Sequence, residues 1–114
     1  MNHYTYRAEW STEYHEYVAR CLEFPDLSHR APTVREAMAG IERTVDEHVA
    51  GRQAGGDHIP RPLTERRYSG KFVVRTSPAL HARLAVEAAE QNVSMNHWIV
   101  QKLAGRQPIG LFDL

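Results

Sequence analysis

The feature that most constrains this chain is a short β-strand pattern with nothing to pair with in its own half of the sequence. From Gly70 to Thr76 the side chains alternate between two faces, with Phe72, Val74 and Thr76 on one and Lys71, Val73 and Arg75 on the other. Two helix patterns follow and no second strand, so only a strand from elsewhere, most simply the same segment of a second copy, can satisfy its backbone donors. The sequence therefore predicts an antiparallel two-stranded ribbon in a homodimer, a shape that fits the DNA major groove.

Two helices are predicted after this strand. The first runs from Ala79 to Gln91, with Ser77 as N-cap, Pro78 at its first position and Asn92 in the left-handed conformation that ends helices. The second begins after the N-cap Ser94, ends at Gly105, and has a core face of Met95, Trp98, Ile99 and Leu103. Because about forty residues rarely fold alone, we expect a shared dimer core that contains Phe72, Val74, Leu84, Trp98 and Ile99.

The segments Gly70–Leu80 and Val93–Val100 resemble the ribbon-helix-helix module of MetJ/Arc-type repressors. The resemblance implies that the outward strand residues Lys71, Val73 and Arg75 read DNA bases, Val73 through a thymine methyl group. It also implies that the start of the second helix, at Ser94, Met95 and Asn96, binds a DNA phosphate, which suits the free N–H groups at a helix N-terminus. The operator is then expected to be a short inverted repeat.

The N-terminal half predicts a small α+β module. Strands are expected over Tyr4–Trp10 and Glu16–Leu22, joined as a hairpin, with a short third strand over Leu27–Ala31. A helix follows from Val34 to about Ala50, with a capping box formed by Thr33 and Glu36. Its core face is Val34, Ala37, Met38, Ile41, Val45 and Val49, and Gly51 and Gly55–Gly56 are expected to end it. The run Ile59–Leu63 is predicted to be a stiff, exposed connector.

This half resembles the N-terminal domain of HicB-type antitoxins, on the segments Glu16–Ser28 and Ala31–Ala37 and the Ile-Pro-Arg-Pro run at Ile59–Pro62. The resemblance implies a partial ribonuclease-H-like antiparallel sheet with one helix. It also implies that the protein binds a small basic mRNA-cleaving toxin of the HicA type and represses its own operon. The expected division is a toxin-binding domain over 1–60, a linker over 61–67, the ribbon-helix-helix module over 68–105 and a tail over 106–114.

The charge distribution fits two different partners. Residues 1–60 hold six arginines against ten carboxylates, a net charge of −4, and residues 61–114 hold eight bases against four acids, a net charge of +4. A positive half suits phosphate, and a negative half suits a basic protein. No apolar run reaches membrane-spanning length and no signal sequence is recognised, so we expect a cytoplasmic protein without a membrane partner. The single cysteine, Cys21, is interpreted as a side chain that packs in a strand.

Catalysis is not expected. Glu9, Asp26, Asp46 and Asp57 fall on different kinds of element and nothing marks them as convergent on metal ions. The seven histidines are dispersed, and His29 and His48 are interpreted as surface or half-buried side chains. We therefore predict no catalytic residue, no metal site and no cofactor.

Two functions remain open at the level of sequence. One is an antitoxin that is also an autorepressor. The other is a stand-alone repressor whose acidic half oligomerises or senses a ligand. The sequence leaves open whether the dimers pair into tetramers, and a neighbouring gene for a small basic protein would favour the antitoxin.

Overall fold

The computed structural model describes residues 2–105, and it places the boundary between two compact units after Ser69. Its elements are β1 (Tyr6–Ser11), β2 (Glu16–Cys21), β3 (Ser28–Ala31), α1 (Val34–Ala54), a 3-10 turn (Leu63–Glu65), α2 (Pro78–Glu90) and α3 (Met95–Ala104). The predicted α+β class is confirmed. The predicted tail, residues 106–114, lies outside the described residues. No helix in the described part of the chain is long and apolar enough to cross a membrane.

The first unit contains a three-stranded antiparallel sheet in the order β1-β2-β3. The predicted hairpin is confirmed, with Tyr6 opposite Cys21 and Ser11 opposite Glu16, and the left-handed His15 (φ 53°) completes the turn. The first strand begins at Tyr6 rather than at Tyr4. The reason is that the Thr5 amide donates to the Glu23 carboxylate at 2.9 Å instead of to a neighbouring strand.

Helix α1 packs on one face of this sheet and forms the core with it. The fully covered residues are Ala19, Cys21, Phe24 and Ala31 from the sheet side and Ala37, Ile41 and Val45 from the helix. The predicted packing role of Cys21 is confirmed, since its thiol is buried and unoxidised and burial raises its pKa. Gly40 lies directly against His29 of β3, because a Cβ atom there would fall on the His29 imidazole.

The predicted bounds and face of α1 needed two corrections. Thr33 caps the helix, and its hydroxyl accepts from the Glu36 amide at 3.1 Å. The helix then continues through Gly51 to Ala54, because an exposed glycine weakens a helix without breaking it, and it ends where Gly56 adopts a positive φ of 73°. Val34 is exposed rather than in the core, since it lies in the first turn, ahead of the buried residues.

The predicted exposed connector is wrong for Ile59–Leu63. Its apolar residues are half-buried on the first unit, where the Tyr4 hydroxyl donates to the Pro60 carbonyl at 2.8 Å. The Leu63 amide donates to the Glu23 carboxylate at 2.8 Å. The prolines lack N–H groups but keep their carbonyls, so a tyrosine hydroxyl donates to Pro60, and the Glu23 carboxylate accepts from the N–H of Leu63, the residue after the prolines.

The second unit contains α2 and α3, and its predicted caps are confirmed. The hydroxyl of Ser77 accepts from the Leu80 amide at 3.1 Å, and that of Ser94 accepts from the His97 amide at 3.0 Å. Asn92 adopts the expected left-handed conformation, with φ 58°. Residues 71–77 carry neither helix nor strand in the single chain, so the ribbon, which requires a second copy, stays a prediction.

Candidate functional site

The segment that the sequence singled out is exposed along its whole length in the single chain. The proposed base readers Lys71, Val73 and Arg75 are all accessible. So are their neighbours Phe72 and Val74, which are 75% and 66% exposed. Large apolar side chains in this state are expected of a segment whose covering partner is another molecule.

The second unit has little core of its own. Among its described residues, Ala88, at the contact between α2 and α3, is the only buried side chain. The other predicted members of the dimer core, Leu84, Trp98 and Ile99, are half-buried, whereas Met95 and Leu103 on the predicted α3 face are exposed. A unit of this size with one buried alanine lacks the apolar burial that a stable fold needs.

The start of α3 presents the proposed phosphate site. Ser94, Met95 and Asn96 are exposed, and the Ser94 cap satisfies the amide of the third helical residue. The earlier amides of the helix have no partner within it and carry part of the positive end of the helix dipole. This end of α3 can therefore accept an anion.

A side-chain network that the sequence reading missed joins α2 to α3. The indole N–H of Trp98 donates to Glu87 at 2.9 Å, and the ammonium group of Lys102 lies 3.5 Å from the same carboxylate oxygen. The Trp98 hydrogen bond, followed by Lys102 and Arg83, lowers the pKa of Glu87 below its usual value. The sequence shows the i,i+4 spacing of Arg83 and Glu87. The hydrogen bond from Trp98 to Glu87 could not be predicted in the same way, because it depends on how the turn between α2 and α3 orients the two helices.

In the first unit, Glu23 is the most heavily bonded carboxylate, and the sequence reading gave it no role. It accepts from the Thr5 amide and hydroxyl, the Leu63 amide and the Cys21 thiol. Burial alone would raise its pKa, but the donated hydrogen bonds of Leu63 and Thr5 outweigh burial, so the pKa of Glu23 is lowered. The carboxylate therefore holds β1 and the connector together.

The sheet face opposite α1 carries arginines. Arg7 and Arg20 are cross-strand partners on this face, and Arg30 follows on β3 beside Val18. The Arg30 guanidinium lies 4.0 Å from the ring centre of Tyr14, which reaches back from the hairpin turn. Val18 is buried but does not belong to the core cluster, as expected for a residue on the open face.

The hairpin end carries aromatic and acidic side chains. Trp10 and Tyr14 are 49% and 47% exposed, and Trp10 packs edge-on against Tyr17 at 5.2 Å between ring centres. A cleft of about 380 Å³ opens beside them, bordered also by Glu9, Glu13 and Arg20. Trp10 is exposed although its strand neighbours β2, because it lies next to the end of β1 at Ser11.

A second cavity, of about 220 Å³, lies between residues 23–27 and α1, with His48 and Arg52 on its wall. His48 and His29 are half-buried, as the sequence indicated. Asp46 accepts from the Asn2 side chain at 2.8 Å. Within residues 2–105, no three His, Cys, Asp or Glu side chains are grouped as a metal site would require.

The comparison with known protein families bears on the C-terminal part of the chain. The model of the HicB family matches residues 57–103, which include the connector, the exposed strand segment, α2 and most of α3. The match covers less than half of the chain and stops short of the sheet. Comparison with curated proteins and comparison with solved structures gave no match.

Proposed function

We propose that this chain is a HicB-type antitoxin that binds and neutralises a HicA-type mRNA-cleaving toxin and represses its own operon. The observation that carries the proposal is the match of the HicB family model to residues 57–103. That match falls on the connector and on the strand-helix-helix segment for which the sequence independently predicted a ribbon-helix-helix module. The protein acts in the cytoplasm as a homodimer, without catalytic activity or cofactor.

The DNA-binding role belongs to the second unit. Two copies of residues 71–76 pair as an antiparallel ribbon that buries Phe72 and Val74 between the subunits. Lys71, Val73 and Arg75 then face the major groove, and the start of α3 at Ser94–Asn96 holds a backbone phosphate. Support comes from the exposure of all these groups in the single chain and from the small core of the unit.

The toxin-binding role belongs to the first unit. Its support is the net charge of −4 over residues 1–60, which suits a basic protein, and an antiparallel sheet with one covering helix. In this proposal the sheet is ribonuclease-H-like, and the chain uses the surface of that fold to bind a protein rather than to cleave RNA.

The alternative is a stand-alone repressor whose first unit senses a small ligand. The cavity bounded by His48 and Arg52 would be its site, but at about 220 Å³ it is smaller than the roughly 300–1,000 Å³ of ordinary ligand pockets. The cleft at the hairpin end, at about 380 Å³, lies within that range, so volume does not decide between the two functions; the antitoxin has the stronger support because the HicB family model matches residues 57–103.

The test is a pair of assays on the full chain. Co-expression with a HicA-type protein from the same genome should restore growth, and the two should co-purify. A chain that restores no growth and does not co-purify, yet binds its upstream inverted repeat, would support the stand-alone repressor instead.

A further inference from the structure

We propose that the hairpin end of the first unit is the surface on which the basic protein partner docks. This hairpin patch consists of Trp10 and Tyr14 with the carboxylates of Glu9, Glu13 and Glu16. The inference rests on the proposed function, because it locates the contact for the same partner. It goes beyond that function in assigning residues to toxin binding.

The aromatic part of the patch is exposed and held in place. Trp10 lies on a paired strand, with its ring 5.2 Å from that of Tyr17 and 6.5 Å from that of His15 between ring centres. Tyr14 is stacked under the Arg30 guanidinium. Because these contacts fix the side chains before binding, little rotamer freedom is lost when a partner covers them. Exposed tryptophan and tyrosine beside a cleft are typical anchors of protein interfaces.

The rest of the first unit offers no comparable surface among its described residues. Its other exposed large apolar side chains are Leu22, Val34 and Tyr68, and none of them borders the cleft. The part of the open sheet face farther from the hairpin turn carries the cross-strand pair Arg7 and Arg20, which would repel a basic protein, whereas the carboxylates Glu9 and Glu16 of the same face lie nearer the turn. The hairpin end is therefore the place where apolar anchors and negative charge coincide.

The charges of the patch select a basic protein. In the part of the chain that the structure describes, Glu9, Glu13 and Glu16 take part in no salt bridge, so their charge is available to a partner. Two arginines also lie at this end, Arg30 over the Tyr14 ring and Arg20 on the cleft wall, so the three carboxylates outnumber the guanidinium groups by one. A polynucleotide would meet repulsion from the three carboxylates, whereas lysine or arginine side chains of a protein would be attracted to them.

The experiment measures the affinity of the full-length chain for an inactivated HicA-type protein from the same genome by calorimetry. Trp10→Ala should weaken binding by about 30-fold or more, as truncation of an interface anchor does. Glu13→Lys, in the turn, should also weaken binding, and its effect should shrink as salt is raised. Leu22→Ala and Glu47→Lys are the matched controls, an exposed apolar residue and an exposed acid elsewhere on this unit, and both should bind like the unaltered chain.

Operator binding and circular dichroism of each variant report whether the chain is still folded. Suppose that the unaltered chain binds the toxin, and that Glu13→Lys and a folded Trp10→Ala bind it with the same affinity. The hairpin patch is then not the docking surface, although the proposed function stands. If these variants change only self-association in sedimentation, the patch is a contact between copies of this chain and the inference is also overturned. Failure of the unaltered chain to bind the toxin would overturn the proposed function and this inference together.

Discussion

The backbone amide of Leu63 donates a hydrogen bond to the carboxylate of Glu23 across 2.8 Å, forty residues earlier in the chain. The same carboxylate accepts from Thr5, the residue that precedes β1. One side chain therefore fixes the path of the connector that leads from the sheet towards the strand segment of the second unit.

Glu23→Gln should lower the free energy of unfolding by about 1–3 kcal/mol, because the amide that replaces one carboxylate oxygen cannot accept a hydrogen bond and leaves a half-buried donor unpaired. Glu47→Gln, an exposed change on α1, is the control and should be close to neutral. Urea unfolding of both variants measures the difference. Equal midpoints for the two variants would contradict the role given to Glu23.

Acid should remove the contribution of Glu23. Its pKa is lower in the folded chain than the ordinary value of 4.5, so the folded state favours the carboxylate. The stabilisation is fully present above the unfolded pKa and is lost as the pH falls through the lower folded value. The stability gap between the unaltered chain and Glu23→Gln should thus be constant from pH 7 to about 5 and shrink below about 4.5. A stability gap that widened in acid would show that folding raises the pKa of Glu23 instead of lowering it.

Alanine substitutions at two glycines of α1 should change the stability of the fold in opposite directions. Gly40→Ala should destabilise the fold by about 1–3 kcal/mol, because the added methyl group falls on the His29 ring and must move the helix or the strand. Gly51→Ala meets no atom within 4 Å in the same helix and should stabilise it by about 0.5–1 kcal/mol. Thermal unfolding of the pair is a direct comparison. A stabilised Gly40→Ala would mean that α1 lies farther from β3.

Local chemistry made most of this fold predictable. Thr33, Ser77 and Ser94 mark helix starts because a hydroxyl at that position satisfies a free amide wherever the helix packs. Asn92 marks a helix end for an equally local reason. Strand alternation located the hairpin, and helical periodicity located the face of α1 that packs on the sheet, apart from Val34.

Contacts between distant segments could not be predicted in this way. Nothing near Glu23 in the sequence indicates that Leu63 and Thr5 will meet it, and nothing near Trp98 indicates Glu87. Gly51 was read as a helix end from its residue type, although its cost in a helix is only about 1 kcal/mol. The exposure of Trp10 depends on where the sheet ends, and alternation does not encode that.

Dimerisation should depend on one face of the strand segment. Phe72→Ala should destabilise the dimer by about 3–5 kcal/mol, as for a buried phenylalanine, and unfolding should depend on protein concentration. Val73→Ala removes an apolar side chain of the same segment from the opposite face and should leave the dimer intact. Sedimentation velocity of both variants separates the faces. A Phe72→Ala chain whose dimer is as stable as the unaltered one, or a folded monomeric one, would contradict the intertwined ribbon.

Base reading by the strand and phosphate binding by α3 should be separable in DNA titrations. Arg75→Ala should lose about 1–3 kcal/mol on the cognate inverted repeat and much less on a scrambled duplex, because it removes a contact to a base edge. Ser94→Ala should weaken binding to both duplexes about equally, by roughly 1 kcal/mol, because it loosens a phosphate contact. Salt must be held fixed, since phosphate contacts release counterions.

The most direct test of the DNA-binding account is the ratio of cognate to scrambled affinity for these two variants at one salt concentration. The account predicts that the ratio falls for Arg75→Ala and is preserved for Ser94→Ala. An unchanged ratio for Arg75→Ala together with lost discrimination for Ser94→Ala would show that the strand segment is not the reading element, and it would contradict the ribbon-helix-helix assignment.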